Sequence, residues 1–314
     1  MKDIEELIQF GIVNVDKPAG PTAYRVSEFI KRQLGLKKTS HMGTLDPKVT
    51  GVLPITLGRS CRLADYFIKH DKDYTGILHT HSAQDIKKLQ KIIDENFLGK
   101  IKQTPPHRSA VKRAERTREV YNFKFLEASK DGRDFLFECS VQGGTYIRKI
   151  CSDLGEMIGG AHMGELRRAR AGIFDESKLY NLEEFERSVE LWKNGDGKVL
   201  REMIVPAGEA IKKVLKFIDV EKRVLKALHH GKPLFLKDVV GGSFKSPLNS
   251  AVPKTRPISS LRSPKVSETP GDGGGNEEIA EGEHFAAFCD GEFVGIYRRT
   301  GEEVIFGRAE FVKN

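Results

Sequence analysis

The feature that most constrains the fold is a change of apolar period between Glu119 and Gly160. Tyr121, Phe123 and Phe125 alternate, as do Phe135, Phe137, Cys139 and Val141, the spacing of strands with one buried face. After the pair Gly143-Gly144, the residues Ile147, Ile150, Cys151, Leu154 and Ile158 fall on one helical stripe, stopped by Gly159 and Gly160. Similar signals occur upstream. "GIVNVDKPAG" reads as a short strand running into a Pro/Gly turn. "GPTAYRVSEFIKRQLG" reads as a helix capped by Thr22, with Val26, Phe29, Ile30 and Leu34 on its buried side. "DYTGILHTH" carries strand-type side chains, and from Asp85 the residues Ile86, Leu89, Ile93 and Phe97 repeat at helical spacing up to Gly99. Strands interleaved with isolated helices, without regular βαβ spacing, predict a mixed α/β or α+β sheet ending near residue 210.

From Gly241 to about Glu278 the texture changes to Ser, Pro and Gly with few large apolar residues, which predicts an extended or disordered insertion. Beyond it, "EHFAAFCDGEFVGIYRRTGEEVIFGRAEFV" reads as short strands with turns at Asp290-Gly291 and Thr300-Gly301, a small β-barrel module. The expected division is therefore 1–212 and 213–314, the second part containing the insertion near 241–278.

Composition narrows the class. The 52 basic and 44 acidic side chains leave a net charge of +8, which permits a polyanionic partner without requiring one. Four scattered cysteines with no C-x-x-C pair argue against a disulfide framework or structural zinc and fit a reducing compartment. No apolar run approaches the ~18 to 20 residues that span a bilayer, and the N-terminal "MKDIEELIQFG" is too charged for a secretory signal. The expectation is a cytoplasmic protein without metal or cofactor.

The chemistry concentrates in "SHMGTLDPKVTGVLP", residues 40 to 54, whose sole carboxylate is Asp46. Asp before Pro is a common turn-former, and that reading suffices for "TLDP" alone. His41 and Lys48 on either side add groups that grip a polyanion and a heteroaromatic ring. In "GGTYIRKICSDLG", Arg148 occupies the first turn of a helix, off the apolar stripe, where a cation opposes the helix dipole. A carboxylate partner is the expected compensation. In "HMGELRRARAGIF", the row Arg167, Arg168, Arg170 follows Leu166, the one large apolar residue between Met163 and Ile173; the choice is a solvated basic face or an RNA-facing edge with an apolar side chain against a base. With the basic stretch "TPPHRSAVKRAERTREV" it reads as a phosphate-binding track.

Taken in order, "VDKPAGPTAYRV", "HMGTLDPKVTGVLP", "KDYTG", "PPHRSAVKR", "GGTYIRKI" and "AHMGELRRARAG" resemble the TruB/dyskerin family of RNA pseudouridine synthases over about residues 9 to 210. The wording around Lys48 is closer to the archaeal and eukaryotic dyskerin branch, whose members are catalytic subunits of H/ACA ribonucleoprotein particles. The resemblance implies an α+β pseudouridine synthase fold, a mainly antiparallel sheet flanked by helices, followed by a PUA-like RNA-binding domain. It also implies a set of site residues. Asp46 falls on the family's invariant aspartate, Arg148 on the arginine that pairs with it, Tyr74 on the active-site tyrosine and Leu166 on the apolar pocket residue. Lys17 matches the lysine of the first motif and His41 the histidine that contacts the substrate nucleotide, while Lys48, Arg108 and Arg167 fall where RNA would be held.

The implied reaction converts uridine to pseudouridine in rRNA or tRNA without redox chemistry or metal. Implied partners are H/ACA guide RNA, rRNA, tRNA and the small H/ACA core proteins, with no membrane. Two alternatives stand beside it: a stand-alone synthase for the TΨC arm of tRNA, and a non-catalytic RNA-binding scaffold. The short segment after Asp85 leaves little room for the insertion with which bacterial TruB clamps tRNA, favouring partner dependence. In the PUA-like part, "KPLFLKDVV" departs from the small apolar residues usual after the His-Gly turn, and the leader before Gly11 is short for the dyskerin branch. The absence of Lys-rich tails points to an archaeal-type protein.

Overall fold

The computed structural model describes residues 3–104, 114–240, 279–301 and 305–313. Described residues up to Ile204 form one compact unit, and a second begins at Val205, ahead of the 212–213 boundary expected from the sequence. The insertion near 241–278 lies outside the described residues.

The first unit is built on a sheet of β1 (Gly11–Lys17), β2 (Thr39–His41), β3 (Thr50–Leu57), β4 (Lys72–Thr80), β5 (Gly99–Gln103), β6 (Arg116–Ala128), β7 (Asp134–Val141), β8 (Ala161–Ala171) and β9 (Phe174–Asp175). Its order is β1-β3-β8-β4-β7-β6-β5, with β2 also on β3 and β9 on β8. Within this set only β3 and β8 run parallel. The period-two reading is realised in β7, where Phe135, Phe137, Cys139 and Val141 are all buried. The stripe Ile147, Ile150, Cys151 and Leu154 of the helix Ile147–Ile158 is buried in the same core.

Local signals place the helices. The Thr22 hydroxyl accepts from the Arg25 amide at 3.1 Å to start the helix Ala23–Gln33. The Asp85 carboxylate accepts from the Lys87 and Lys88 amides at 2.8 and 3.0 Å to start Ile86–Asn96. One expectation is corrected. The stretch around Arg167, Arg168 and Arg170 is not an edge: it is β8, paired on both sides, by β3 and by β4. Gly51 and Gly76 face it, and a side chain at Gly51 would stand 2.3 Å from the Arg168 carbonyl oxygen. Backbones that small can approach closely, so the arginine-rich strand is drawn into the sheet.

The second unit contains a separate sheet in the order Phe217–Asp219, His284–Cys289, Glu292–Arg299, Ile305–Val312, Leu234–Phe235. Asp290 and Gly291 take φ of +49° and +79°, the left-handed pair expected of a two-residue hairpin turn. Ile218, Leu228, Leu234, Phe285 and Tyr297 form its core. The strand, short helix Leu225–His229 and turn at Gly231 reproduce the PUA-like opening read from the sequence.

Candidate active site

The loop between β2 and β3 carries Asp46. The Val49 amide donates to the Asp46 carbonyl at 3.0 Å, so Asp-Pro-Lys-Val is a hydrogen-bonded turn with Pro47 at its second position. Two buried cations hold this turn from below. Lys17, at 0% exposure, donates from Nζ to the carbonyls of Pro18 (2.8 Å), Pro47 (3.0 Å) and Val49 (2.8 Å). Arg168, at 1%, donates to the carbonyls of Val52 (Nε, 2.8 Å) and Gly43 (Nη2, 3.1 Å) and lies opposite Tyr74 in the neighbouring strand. Among the described residues neither has a carboxylate within ion-pair distance. Burial lowers the Lys17 pKa, with Asp46 opposing, and burial lowers that of Arg168.

Strand register explains why these groups meet. Lys17 of β1 sits opposite Gly51 of β3, Gly51 opposite Arg168 of β8, and Arg168 opposite Tyr74 of β4. Residues opposite one another share a face, so one row delivers both cations and the tyrosine beneath the loop. Tyr74 is 7% exposed; burial raises its pKa and Arg168 pulls it back. Leu166 lies opposite Gly76 in the same strand pair. A side chain at Gly76 would fall 2.9 Å from Leu166 Cδ1 and 2.6 Å from Phe137 Cζ, so the glycine makes the room.

Arg148 arrives from the other side. It lies in the first turn of Ile147–Ile158, and its Nη2 is 2.8 Å from Asp46 Oδ2. Both side chains are more than two-fifths exposed. The compensating carboxylate expected for this cation is therefore Asp46 itself. Such a wet pair is worth at most about 1 kcal/mol, so its value lies in aiming the carboxylate while solvent, or a nucleotide, can still reach it.

The remaining candidates are distributed unevenly. His41 ends β2, half-buried; burial and then the charge of Arg168 lower its pKa, and Nδ1 is buried with no hydrogen-bond partner among the described residues. Lys48 is exposed at the turn. Arg167 binds both oxygens of Asp16 (2.9 and 3.0 Å) and Glu176 Oε1 (2.7 Å). Arg170 binds both oxygens of Asp73 at 2.6 and 2.9 Å. Of the arginines read as part of a phosphate-binding track, Arg167 and Arg170 are engaged by carboxylates in fork geometry and Arg168 is interior, while His107 to Arg113 of the same track lie outside the described residues. Arg108 lies outside the described residues.

Sequence reasoning read Arg168 only as one member of a basic row and did not single out Gly76. The signal for both was available only as strand pairing, because β4 and β8 are some ninety residues apart in the chain. Among the described residues no group of three or more His, Cys, Asp or Glu is placed to hold a metal ion.

Comparison with known proteins follows this geometry. The model described as TruB family pseudouridylate synthase (N terminal domain) matches residues 31–147, and that of the tRNA pseudouridylate synthase B C-terminal domain matches 148–212. A protein named "Probable tRNA pseudouridine synthase B" from Methanopyrus kandleri is 42% identical over 241 residues, covering 76% of this chain and 70% of its own. One of the same name from Pyrococcus horikoshii is 42% identical over 242 residues, covering 76% and 71%. Among solved structures, a chain of the "Crystal Structure of a Cbf5-Nop10-Gar1 Complex" superposes with a TM-score of 0.80 at 32% identity, covering 99% of this chain and 87% of that one. A chain of the "Structure of H/ACA RNP bound to a substrate RNA containing 2'-deoxyuridine" gives 0.79 at 30% identity, with coverage of 99% and 87%.

Proposed function

Because the chain belongs to the TruB family of pseudouridine synthases, we propose that it isomerises uridine under the direction of an H/ACA guide RNA, with Asp46 as the acting carboxylate. The observation that carries the site assignment is the Asp46–Arg148 ion pair at 2.8 Å, mounted on a turn whose carbonyls are fixed by Lys17.

The reaction breaks the bond between C1′ and N1, turns the uracil, and joins C5 to C1′; the proton leaving C5 is balanced by one gained at N1. Asp46 acts at the ribose, either by attacking C1′ or by deprotonating toward a glycal, and both routes need one carboxylate held beside the sugar. Arg148 orients one carboxylate oxygen and leaves the other free. The target base leaves its stack to reach the loop. Tyr74 and Leu166 then bound the base, and His41 and Lys48 flank the nucleotide. A single carboxylate suits a reaction in which water must not capture C1′, unlike the paired acids of glycosidases.

Guide dependence is supported by the superposition on chains from H/ACA particles across 99% of this chain. RNA and small H/ACA proteins are then its partners, and a cytoplasmic setting belongs to the same proposal. No helix among the described residues is long and apolar enough to cross a membrane. The names of the curated relatives favour a second reading, direct action on tRNA. Tritium release from RNA labelled at uridine C5 tests both readings. The expected result is release from a guided target only with guide RNA and small proteins, and none from Asp46→Ala, which still binds RNA. Robust release from rRNA by the isolated chain overturns guide dependence, release from tRNA alone selects the second reading, and no release in any combination leaves a scaffold.

A further inference from the structure

Arg148 reaches Asp46 from a helix whose start is weakly fixed by its own sequence. The side chain of Tyr146, at the N-cap position, makes no capping hydrogen bond, and the first turn of Ile147–Ile158 holds Arg148 and Lys149 but no acidic residue. A first turn of that composition opposes the helix dipole. The Tyr146 carbonyl accepts from the Lys149 and Ile150 amides at 3.1 and 3.2 Å, so the placement of the Tyr146 backbone sets where the turn carrying Arg148 begins. A side chain from another strand holds that backbone. Gln103, the last residue of β5 and the only buried one in that strand at 3% exposure, accepts from the Tyr146 amide through Oε1 at 3.0 Å. Its Nε2 donates to the Tyr146 carbonyl at 3.1 Å. The two bonds fix the orientation of the amide, since turning it over would set N–H against N–H and oxygen against oxygen. Gln103 itself is placed by pairing with Arg116 of β6. The turn ahead of the helix is closed separately, by the Thr145 amide and hydroxyl on the Gln142 carbonyl at 3.2 and 2.8 Å. A buried primary amide is unfavourable unless its polar atoms are used, and Gln103 uses its donor and its acceptor on one residue, Tyr146.

We propose that Gln103 is a positioning residue for the reaction: by holding both backbone polar groups of Tyr146 it sets where the helix starts, and so aims Arg148 at Asp46. The inference rests on the isomerase reading above. The Arg148–Asp46 pair is exposed and therefore weak, so it does not hold the helix end in place by itself. The aim comes from the buried side, through Gln103. An apolar side chain there leaves β5 and the helix formed but frees the first turn to shift. A displacement of about 1 Å in a group that orients a reacting carboxylate costs rate rather than affinity.

The test compares Gln103→Met and Gln103→Glu, alone and combined with Arg148→Ala, in the full chain with whichever RNA and protein partners support wild-type release. Methionine keeps the length and loses both hydrogen bonds. Glutamate keeps the acceptor for the Tyr146 amide and, when ionised, lacks the donor for the carbonyl. Single-turnover tritium release is measured at saturating RNA, beside the RNA concentration that gives half the maximal rate. Gln103→Met is expected to lower the saturating rate at least fivefold while the half-saturating concentration moves less than threefold, with Gln103→Glu between it and wild type. In the Arg148→Ala background Gln103→Met is expected to cost less than twofold, because the group it misaims is already gone. A role in stability alone gives the same fold-loss in both backgrounds, or a shift in half-saturation without loss of rate, and either outcome overturns the inference. So does a wild-type rate in Gln103→Met. Where that variant does not fold, Gln103→Glu takes its place in the cycle and is judged by the same comparison of backgrounds; failure of both to fold overturns the inference. Wild type run in parallel separates the two failures: no release from wild type sinks the isomerase reading, whereas wild-type release with equal losses in both backgrounds sinks only the role of Gln103.

Discussion

Arg148 and Arg168 approach the same loop from opposite sides and do opposite things. Arg148 is nearly half exposed, meets the Asp46 carboxylate, and comes from a helix. Arg168 is interior, meets backbone carbonyls, and comes from the middle of a sheet. An exposed ion pair adds little to folding because water competes for both partners. A buried cation must be fully engaged, and whatever it engages becomes rigid. The loop is thus held by one kind of arginine and aimed by the other, with Lys17 and Lys72 on the buried side of that division.

Substitutions should separate the two kinds. The largest effect is expected from Asp46→Ala, a loss of tritium release on the order of 10³-fold or more, equivalent to about 4 kcal/mol of barrier, with thermal stability nearly unchanged. A large fall in melting temperature instead would place Asp46 with the buried scaffold. Next comes Lys17→Met, which strands the carbonyls of Pro18, Pro47 and Val49 and should cost about 4 kcal/mol of stability by urea unfolding. A stable variant would show that the turn holds itself.

Lys72 is a third buried cation, donating to the carbonyls of Ile68 and His70 at 2.8 Å. Burial, then the like charge of Arg168, push its pKa down to about 8 from the ordinary 10.5. Between these values the unfolded chain keeps a proton that the folded chain has lost, so the contribution of Lys72 to stability rises with pH across the window, by about 3 kcal/mol. Below pH 8 both states are protonated and the contribution is flat. Unfolding of wild type and Lys72→Met at pH 7, 9 and 10.5 should show the gap moving in favour of wild type as pH rises; a constant gap removes Lys72 from the buried set. The smallest structural effect belongs to Arg148→Ala: under about 1 kcal/mol in stability, against a loss of release near 10²-fold, about 2.7 kcal/mol of barrier. Equal energies on both measures would erase the distinction between the two arginines.

Much of this could be read along the chain. Thr22 and Asp85 cap helices where their side chains can accept local amides, and the alternation of Phe135, Phe137 and Cys139 is a property of one strand. The position of Arg148 in a first turn already called for a carboxylate, and Asp46 supplies it. Misreadings came where meaning depends on a distant strand. Arg167, Arg168 and Arg170 look like one basic patch, yet Asp16 and Glu176 take the first and Asp73 the last, while the middle one turns inward.

The sequence by itself determined the elements, the turn at Asp46 and the chemical types available at the site, because caps, turns and periodicity act over a few neighbouring residues. Only the tertiary structure decided which cations are scaffolding and which is left facing solvent. That depends on register: the row Lys17, Gly51, Arg168, Tyr74 exists only once four strands are paired, and burial then forces each charge to find a partner.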